Sequence, residues 1–479
     1  MIDGNLARLL SNTIHESDLV PLYKIYEDEE KYESLIKILP PLEEAGILLE
    51  KYKLSFRDFY YTGSFLDRFC YWKFPTYLSL PIINEEFFSL MKIPELINEG
   101  NRILPKLLKE KNYKEFFYLM DDKIFLMVFN HLYWNISKEE RYELFRTVYA
   151  LLEYGHFEMN ERILKDVFNH RTDKRLKAIR KELDKITKKS TITIYRGETE
   201  ESTPYQNALS WTTSLYHAVF FANRYEIKGR LYQAEVEKEN VLDYITGRNE
   251  QEVLVSSEDL TNIQLIEQVD PKEENQALTE KGYIEEFDYY ETFIRASFFR
   301  KPFGIHGVNH TKRVLFLCLS LSHAYQLTQS ERSILANCAI FHDTGRKHDR
   351  KCTEHGKWSV EKYLKVEDLS PFISLNAVTQ LNKNEVETDD FYPFEREVTL
   401  FLMEYHAKGD FATKEAIKQY KTWSTEDKEM VWKLYEIFAD ADALDRVRFK
   451  QLNMTYLRTE EAKKRLLFAN ELIKTIREQ

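Results

Sequence analysis

A change of rhythm at Ser190 constrains this chain more than any other feature. From there to Val269, polar and apolar residues alternate in TITIYRG, and LYQAEVEKENVLDY, EVLVSS and IQLIEQV follow as short runs separated by turns. Period two is the pattern of strands. On either side, apolar residues recur at spacings of three and four, as in YKEFFYLMDDKIFLMVFNHLYW and RYELFRTVYALLEYG, the pattern of helices that bury one face. The chain therefore reads as an α+β multidomain protein with an all-helical N-terminal domain over 1–189, a small β-rich domain over 190–270, and an all-helical C-terminal domain over 285–479. The Asp270-Pro271 step followed by KEENQALTEKG is the expected linker, because proline disfavours helix at the residue before it.

Composition narrows the function classes. The 479 residues suit about three domains. The formal charge of −11 argues against a protein that coats nucleic acid. Cys70, Cys318, Cys338 and Cys352 are scattered with no CxxC pair, which fits a reducing compartment rather than a disulfide framework or a structural zinc site. No stretch approaches about 18 uncharged apolar residues and the start lacks a secretory core, so the expected location is cytoplasmic, with delivery into another cell by a signal-independent route left open. One local exception stands out: Arg171 to Lys189 carries nine basic residues against three acidic ones, a net of +6. It reads as a solvated helix face, or as a docking patch for an anionic partner.

In the β-rich segment, three features fall in order: Tyr195-Arg196-Gly197 at the end of the first strand, Ser210-Trp211-Thr212-Thr213-Ser214 before the apolar helix AVFFANR, and Glu250-Gln251-Glu252 entering Val253-Leu254-Val255. Singly, each has an ordinary explanation, such as an N-cap for the Ser/Thr run. Together they resemble the R-S-E class of ADP-ribosyltransferases over about 80 residues. That resemblance implies NAD as cofactor, with Arg196 on its diphosphate, Tyr195 beside it, and a hydroxyl of Ser210 or Thr212 supporting the nicotinamide ribose. Glu252 is the expected catalytic carboxylate, facing the oxocarbenium-like transition state. Strand alternation would bring Glu250 to the same face as Glu252, where it would engage the acceptor, an arginine by preference. The segment from Asp243 to Asn249 would then meet that acceptor, chiefly through Tyr244.

Downstream stand His306-Gly307-Val308-Asn309-His310, His342-Asp343-Thr344-Gly345-Arg346, His355-Gly356, Tyr405-His406 and Asp442-Ala443-Leu444-Asp445. His306 and His310 are one helical turn apart, and His342-Asp343 follows the apolar run ILANCAIF, where an unpaired charge is costly. Seven of the twelve histidines fall between 300 and 410, and buried His and Asp converging from several helices is how a bundle builds a metal site. The segments resemble the HD superfamily of metal-dependent phosphohydrolases. The resemblance implies one or two divalent ions (Mn, Fe or Mg) on His310, His342, Asp343 and Asp442, with His406 as an added ligand and Arg346 on the phosphate. The HGxxH and HDxxR elements also resemble the phosphodiesterase domain of bacterial effectors that attach ubiquitin through phosphoribose. There His306 would be the nucleophile, and Asp349 matches an acidic residue three positions after HDxxR.

The leading expectation is a bifunctional enzyme. The middle domain transfers ADP-ribose from NAD to a macromolecular acceptor, protein in preference to nucleic acid. The C-terminal domain cleaves a phosphoester, for which that same product is one candidate. The alternative is an HD-type nucleotide phosphohydrolase whose middle domain binds without catalysing. A third reading is a helical interaction protein in which the motifs are incidental.

Overall fold

A computed structural model describes residues 14, 16–64, 67–152, 159–224, 227–246, 250–270, 283–365, 372–374, 393–449 and 453–476. The chain forms two compact units, Met1–Lys185 and Ile186–Gln479. No helix among the described residues is long and apolar enough to cross a membrane.

The first unit is not all-helical. It contains a four-stranded antiparallel sheet in sequence order: β1 (Val20–Pro21), β2 (Phe59–Tyr61), β3 (Phe69–Lys73) and β4 (Thr76–Leu80). The first four residues of β3, Phe69 to Trp72, are all buried. A strand covered on both faces shows no alternation, so its sequence cannot be told from a buried helical turn. Helix α1 (Ile93–Lys109) packs on β4, and the longer helices α2 (Lys138–Leu151) and α3 (Asp173–Ile186) follow it in the chain. The basic segment forms α3, which buries Ile179 and Leu183 and leaves Lys174, Lys177, Arg180, Lys181 and Lys185 exposed.

The second unit combines a six-stranded sheet with a helical bundle. Its strands are β5 (Thr191–Thr199), β6 (Ser210–Thr212), β7 (Gly229–Glu237), β8 (Asp243–Ile245), β9 (Glu252–Leu254) and β10 (Thr261–Val269). They pair antiparallel in the order β10-β7-β5-β6-β9-β8. Helix α4 (Leu215–Ala222), N-capped by Ser214, lies against β5. The approach is close enough that a Cβ on Gly197 would come within 1.8 Å of the Ala218 carbonyl oxygen, which accounts for the glycine after Arg196.

The bundle comprises α5 (Tyr283–Glu291), α6 (Val308–Ala324), α7 (Gln329–Phe341), α8 (His355–Lys365), α9 (Pro393–Tyr405), α10 (Thr425–Leu444) and α11 (Leu466–Thr475). Helix α6 is buried almost all round, as a central helix must be. Capping boxes start α7 (Thr328 with Glu331) and α10 (Ser424 with Asp427).

Sheet and bundle share one core: Leu215, Ala218, Leu231 and Val269 belong to the same buried cluster as Val314, Phe316 and Phe468. The segments 190–270 and 285–479 thus lie in one compact unit rather than in two. Helix α11 is the joint, since Glu267 of β10 accepts from the backbone nitrogens of Leu467 (2.8 Å) and Phe468 (3.2 Å), and Asn223 donates to the Leu467 carbonyl at 2.8 Å. The expected linker, residues 271–282, lies outside the described residues.

Candidate functional site

The bundle gathers its histidines at one place. His306 precedes α6, His310 is in its first turn, His342 and Asp343 follow the end of α7, His355 starts α8, His406 follows α9, and Asp442 and Asp445 close α10. A Cβ on Gly356 would meet the Met403 carbonyl oxygen at 2.3 Å, so only glycine lets α8 come close enough to α9 for His355 to reach His406.

Hydrogen bonds fix the tautomers. The Nδ1 atoms of His342, His355 and His406 lie 2.9, 2.7 and 2.7 Å from the carbonyl oxygens of Ala339, Cys352 and Met403. A carbonyl only accepts, so each Nδ1 carries the proton and each Nε2 presents a lone pair. His310 is held the same way by a carboxylate, with Nδ1 2.7 Å from Asp445 Oδ2. The Nε2 atoms then face one another: 3.2 Å between His310 and His342, and 2.8 Å between His355 and His406. Between His355 and His406 this opposes two lone pairs, which repel at such a distance unless a cation lies between them.

Carboxylates complete the set. Asp343 Oδ2 lies 2.8 Å from His306 Nδ1, 3.5 Å from His310 Nε2 and 3.7 Å from His342 Nε2, while its Oδ1 is 3.3 Å from His355 Nε2. Asp442 Oδ1 is 3.5 Å from His310 and 3.9 Å from His342, with its side chain about one-third exposed. Three trios among the described residues have ligand atoms within 4.8 Å of one another and could hold a metal ion: His306, His310 and Asp343; His310, His342 and Asp442; Asp343, His355 and His406. All are nitrogen and oxygen donors, a set suited to a divalent ion. Asp343 directs one oxygen toward each side of the centre.

The electrostatics set His310 apart from the other three rings. Burial lowers the pKa of His342, and likewise of His355, while His406 falls to about 3 through burial and the neighbouring His355 and His342; neutral rings keep their Nε2 lone pairs available. Burial also opposes charge on His310, but Asp343 and Asp445 outweigh it and hold the ring up at about 9, so a metal ion binding its Nε2 would have to displace the proton there. Partial burial favours the neutral form of Asp442 too, yet His310, His342 and His406 bring it down to about 2.

Arg346 turns inward rather than standing free for a phosphate. Its Nε donates to Asp343 Oδ1 at 2.7 Å and its Nη2 lies 3.2 Å from His355 Nε2. Asp349 pairs with Lys301 at 2.7 Å. Sequence reasoning left His355 out of the ligand set and gave Asp445 no role. Both stand in motifs visible in the sequence, His355-Gly356 and Asp442-Ala443-Leu444-Asp445.

In the sheet, Ser210 links the other expected residues. Its Oγ donates to Glu252 Oε1 at 2.5 Å, and its carbonyl accepts from Arg196 Nη1 at 2.6 Å. Arg196 also donates to Glu198 Oε1 (2.8 Å) and the Thr203 carbonyl (2.6 Å). Several expectations fail here. The Thr212 hydroxyl is engaged by its own turn, donating to the Glu250 carbonyl at 2.7 Å and accepting from Ser214 N at 3.0 Å, so Ser210 rather than Thr212 serves Glu252. Alternation does not relate Glu250 to Glu252: β9 begins at Glu252 and Gln251 has φ +52°, which breaks the strand between them. Tyr195 projects to the face of β5 opposite Arg196, against the hydrophobic core. Tyr244 is buried within β8, paired with Val253, and residues 247–249 of the expected acceptor loop lie outside the described residues.

Comparison with protein-family models, with curated proteins and with solved structures found no match.

Proposed function

We propose that the chain is a bifunctional enzyme, an NAD-dependent ADP-ribosyltransferase joined to an HD-type phosphohydrolase. The transferase half is supported by Ser210 holding Glu252 by its side chain and Arg196 by its carbonyl. Glu252 would stabilise positive charge on the ribose as the bond to nicotinamide breaks, and an acceptor nucleophile would then take the ADP-ribosyl group. Ser210 keeps the carboxylate oriented for that step.

The hydrolase half is carried by the opposed Nε2 atoms of His310, His342, His355 and His406. With Asp343 and Asp442, these residues would hold a divalent ion (Mn, Fe or Mg), which supplies charge neutralisation for a phosphoester and a lowered pKa for water. His306, whose Nδ1 is 2.8 Å from Asp343, would exchange a proton with a reacting group or attack phosphorus itself. The substrate would be a phosphoester or, in the ADP-ribosyl product of the other site, the diphosphate linkage, where water would add to one phosphorus and AMP would leave, with phosphoribose kept on the acceptor. Joining the two sites on one chain would raise the effective concentration of that product.

A second reading is favoured by one observation. Three donors of Arg196 are already bonded to Glu198, Thr203 and Ser210, which leaves less of the guanidinium for a diphosphate and suits a middle segment that binds without transferring. Labelled NAD incubated with the protein and a cell lysate separates the two. Under the bifunctional reading, Glu252→Ala abolishes labelling, His342→Ala/Asp343→Ala leaves a full ADP-ribose adduct, and the unaltered protein shortens it to phosphoribose. No labelling by the unaltered protein, with phosphohydrolysis intact, establishes the second reading.

A further inference from the structure

Asp445 is three residues beyond the expected ligand Asp442, and its side chain is about 1 % exposed. Three cationic or polar groups converge on it: His310 Nδ1 at 2.7 Å, Arg313 Nε at 2.5 Å and Arg448 Nε at 2.7 Å. Arg313 is itself fixed, its Nη1 donating to the Ile476 carbonyl at 2.7 Å. Burying a carboxylate with two guanidinium groups costs much of what the pairing returns, and apolar side chains of similar size do the same structural work at lower cost. Packing therefore gives no reason for such a group at this position.

The geometry of His310 supplies one. Of the four rings whose Nε2 atoms face one another, three are oriented by backbone carbonyls and only His310 by a carboxylate. A carboxylate fixes the Nδ1–H tautomer and also makes Nε2 a stronger electron donor. That Nε2 is 3.2 Å from His342 Nε2 and 3.5 Å from both Asp343 and Asp442, so it is shared by two of the three candidate trios. Arg313 and Arg448 in turn hold the Asp445 oxygens in place, so that the carboxylate cannot swing toward the centre and compete as a ligand.

We infer that Asp445, clamped by Arg313 and Arg448, is the positioning residue that sets the cation affinity of the His310–His342–Asp442 trio. This rests on the reading of the centre as a metal site, and the test separates the two. Equilibrium binding of Mn²⁺ to the full chain is measured for the unaltered protein, His342→Ala and Asp445→Asn, alongside melting of each metal-free protein. The amide keeps the size and one acceptor but removes the charge. Asp445→Asn is expected to weaken Mn²⁺ binding about 10- to 100-fold, more than any loss of metal-free stability accounts for, whereas His342→Ala abolishes binding to this trio. Should Asp445→Asn fail to fold, Arg448→Lys takes its place: it keeps the positive charge and loses the guanidinium contact, and binding is expected to weaken about threefold. Unchanged Mn²⁺ affinity in the folded variant, with His342→Ala defective, overturns the role of Asp445 and leaves the metal site standing. No Mn²⁺ binding by the unaltered protein overturns both.

Discussion

His355 and His406 face each other Nε2 to Nε2 at 2.8 Å, although a backbone carbonyl holds the proton of each ring on the far nitrogen. Such a pair is under repulsion until a cation joins it, so divalent metal should stabilise the fold. A metal present at about 100 times its dissociation constant adds about 2.7 kcal/mol. Chelation should therefore lower the melting temperature and re-addition of Mn²⁺ should restore it, while His406→Ala should shrink that metal-dependent difference. A melting curve indifferent to both chelator and metal would contradict this.

Ser210 donates to Glu252 at 2.5 Å, a hydrogen bond to a charged group. Such bonds contribute about 1.5–3 kcal/mol. Ser210→Ala is accordingly expected to reduce NAD-dependent labelling about 10- to 100-fold and to lower the melting temperature by a few degrees, whereas Thr212→Ala lowers the melting temperature, because its hydroxyl holds the turn, and leaves labelling by the folded protein close to that of the unaltered one. Initial rates with labelled NAD decide which hydroxyl serves the glutamate.

Gly356 has no room for a methyl group, since its Cβ would lie 2.3 Å from the Met403 carbonyl oxygen and 2.7 Å from that of Glu404. Gly356→Ala must push α8 away from α9 and so separate His355 from His406. Overpacking of this kind costs about 1–3 kcal/mol. The expected result is a lower melting temperature together with a smaller stabilisation by metal, read by the same scan with and without Mn²⁺.

Glu267 provides a pH test away from the histidines. Burial raises its pKa from the ordinary 4.5 to about 8, against the opposing pull of the Leu467 and Phe468 amides. A carboxyl raised in the folded state binds its proton more tightly there than in the unfolded chain, so its contribution is present below about pH 4.5 and is lost as pH rises toward 8. Each pH unit inside that window removes up to about 1.4 kcal/mol. Denaturant unfolding at pH 5.5 and 7.5 should show the unaltered protein losing more stability than Glu267→Gln, whose neutral amide can still accept from α11. Equal slopes would mean that Glu267 is ionised throughout.

Alternation after Ser190 marks β5, where Ile192 and Ile194 are buried between Thr191, Thr193 and Tyr195, which are not; β6, β8 and β9 bury two residues in succession and β10 leaves its first five exposed, so for these the period says less. It fails for β3, where Phe69 to Trp72 are buried on both faces and the period disappears. It also misplaces Glu250, because alternation holds only while the backbone stays extended and Gln251 turns to φ +52°. The histidine motifs are visible as spaced residues, yet they do not mark His355: nothing local distinguishes a histidine that starts an exposed helix from one that a glycine allows against α9.

By itself, the amino-acid order determined the helical and strand periods, the aromatic-Arg, Ser/Thr and E-x-E series, and the set of His and Asp residues available to one another. Local spacing encodes which side of an element is apolar, and that much needs no knowledge of its neighbours. Only the tertiary structure decided which atoms meet: Ser210 rather than Thr212 on Glu252, Arg346 folded back onto Asp343, and Asp445 behind His310. Those choices depend on how helices far apart in the chain pack against each other, and on which ring nitrogen finds an acceptor once they do.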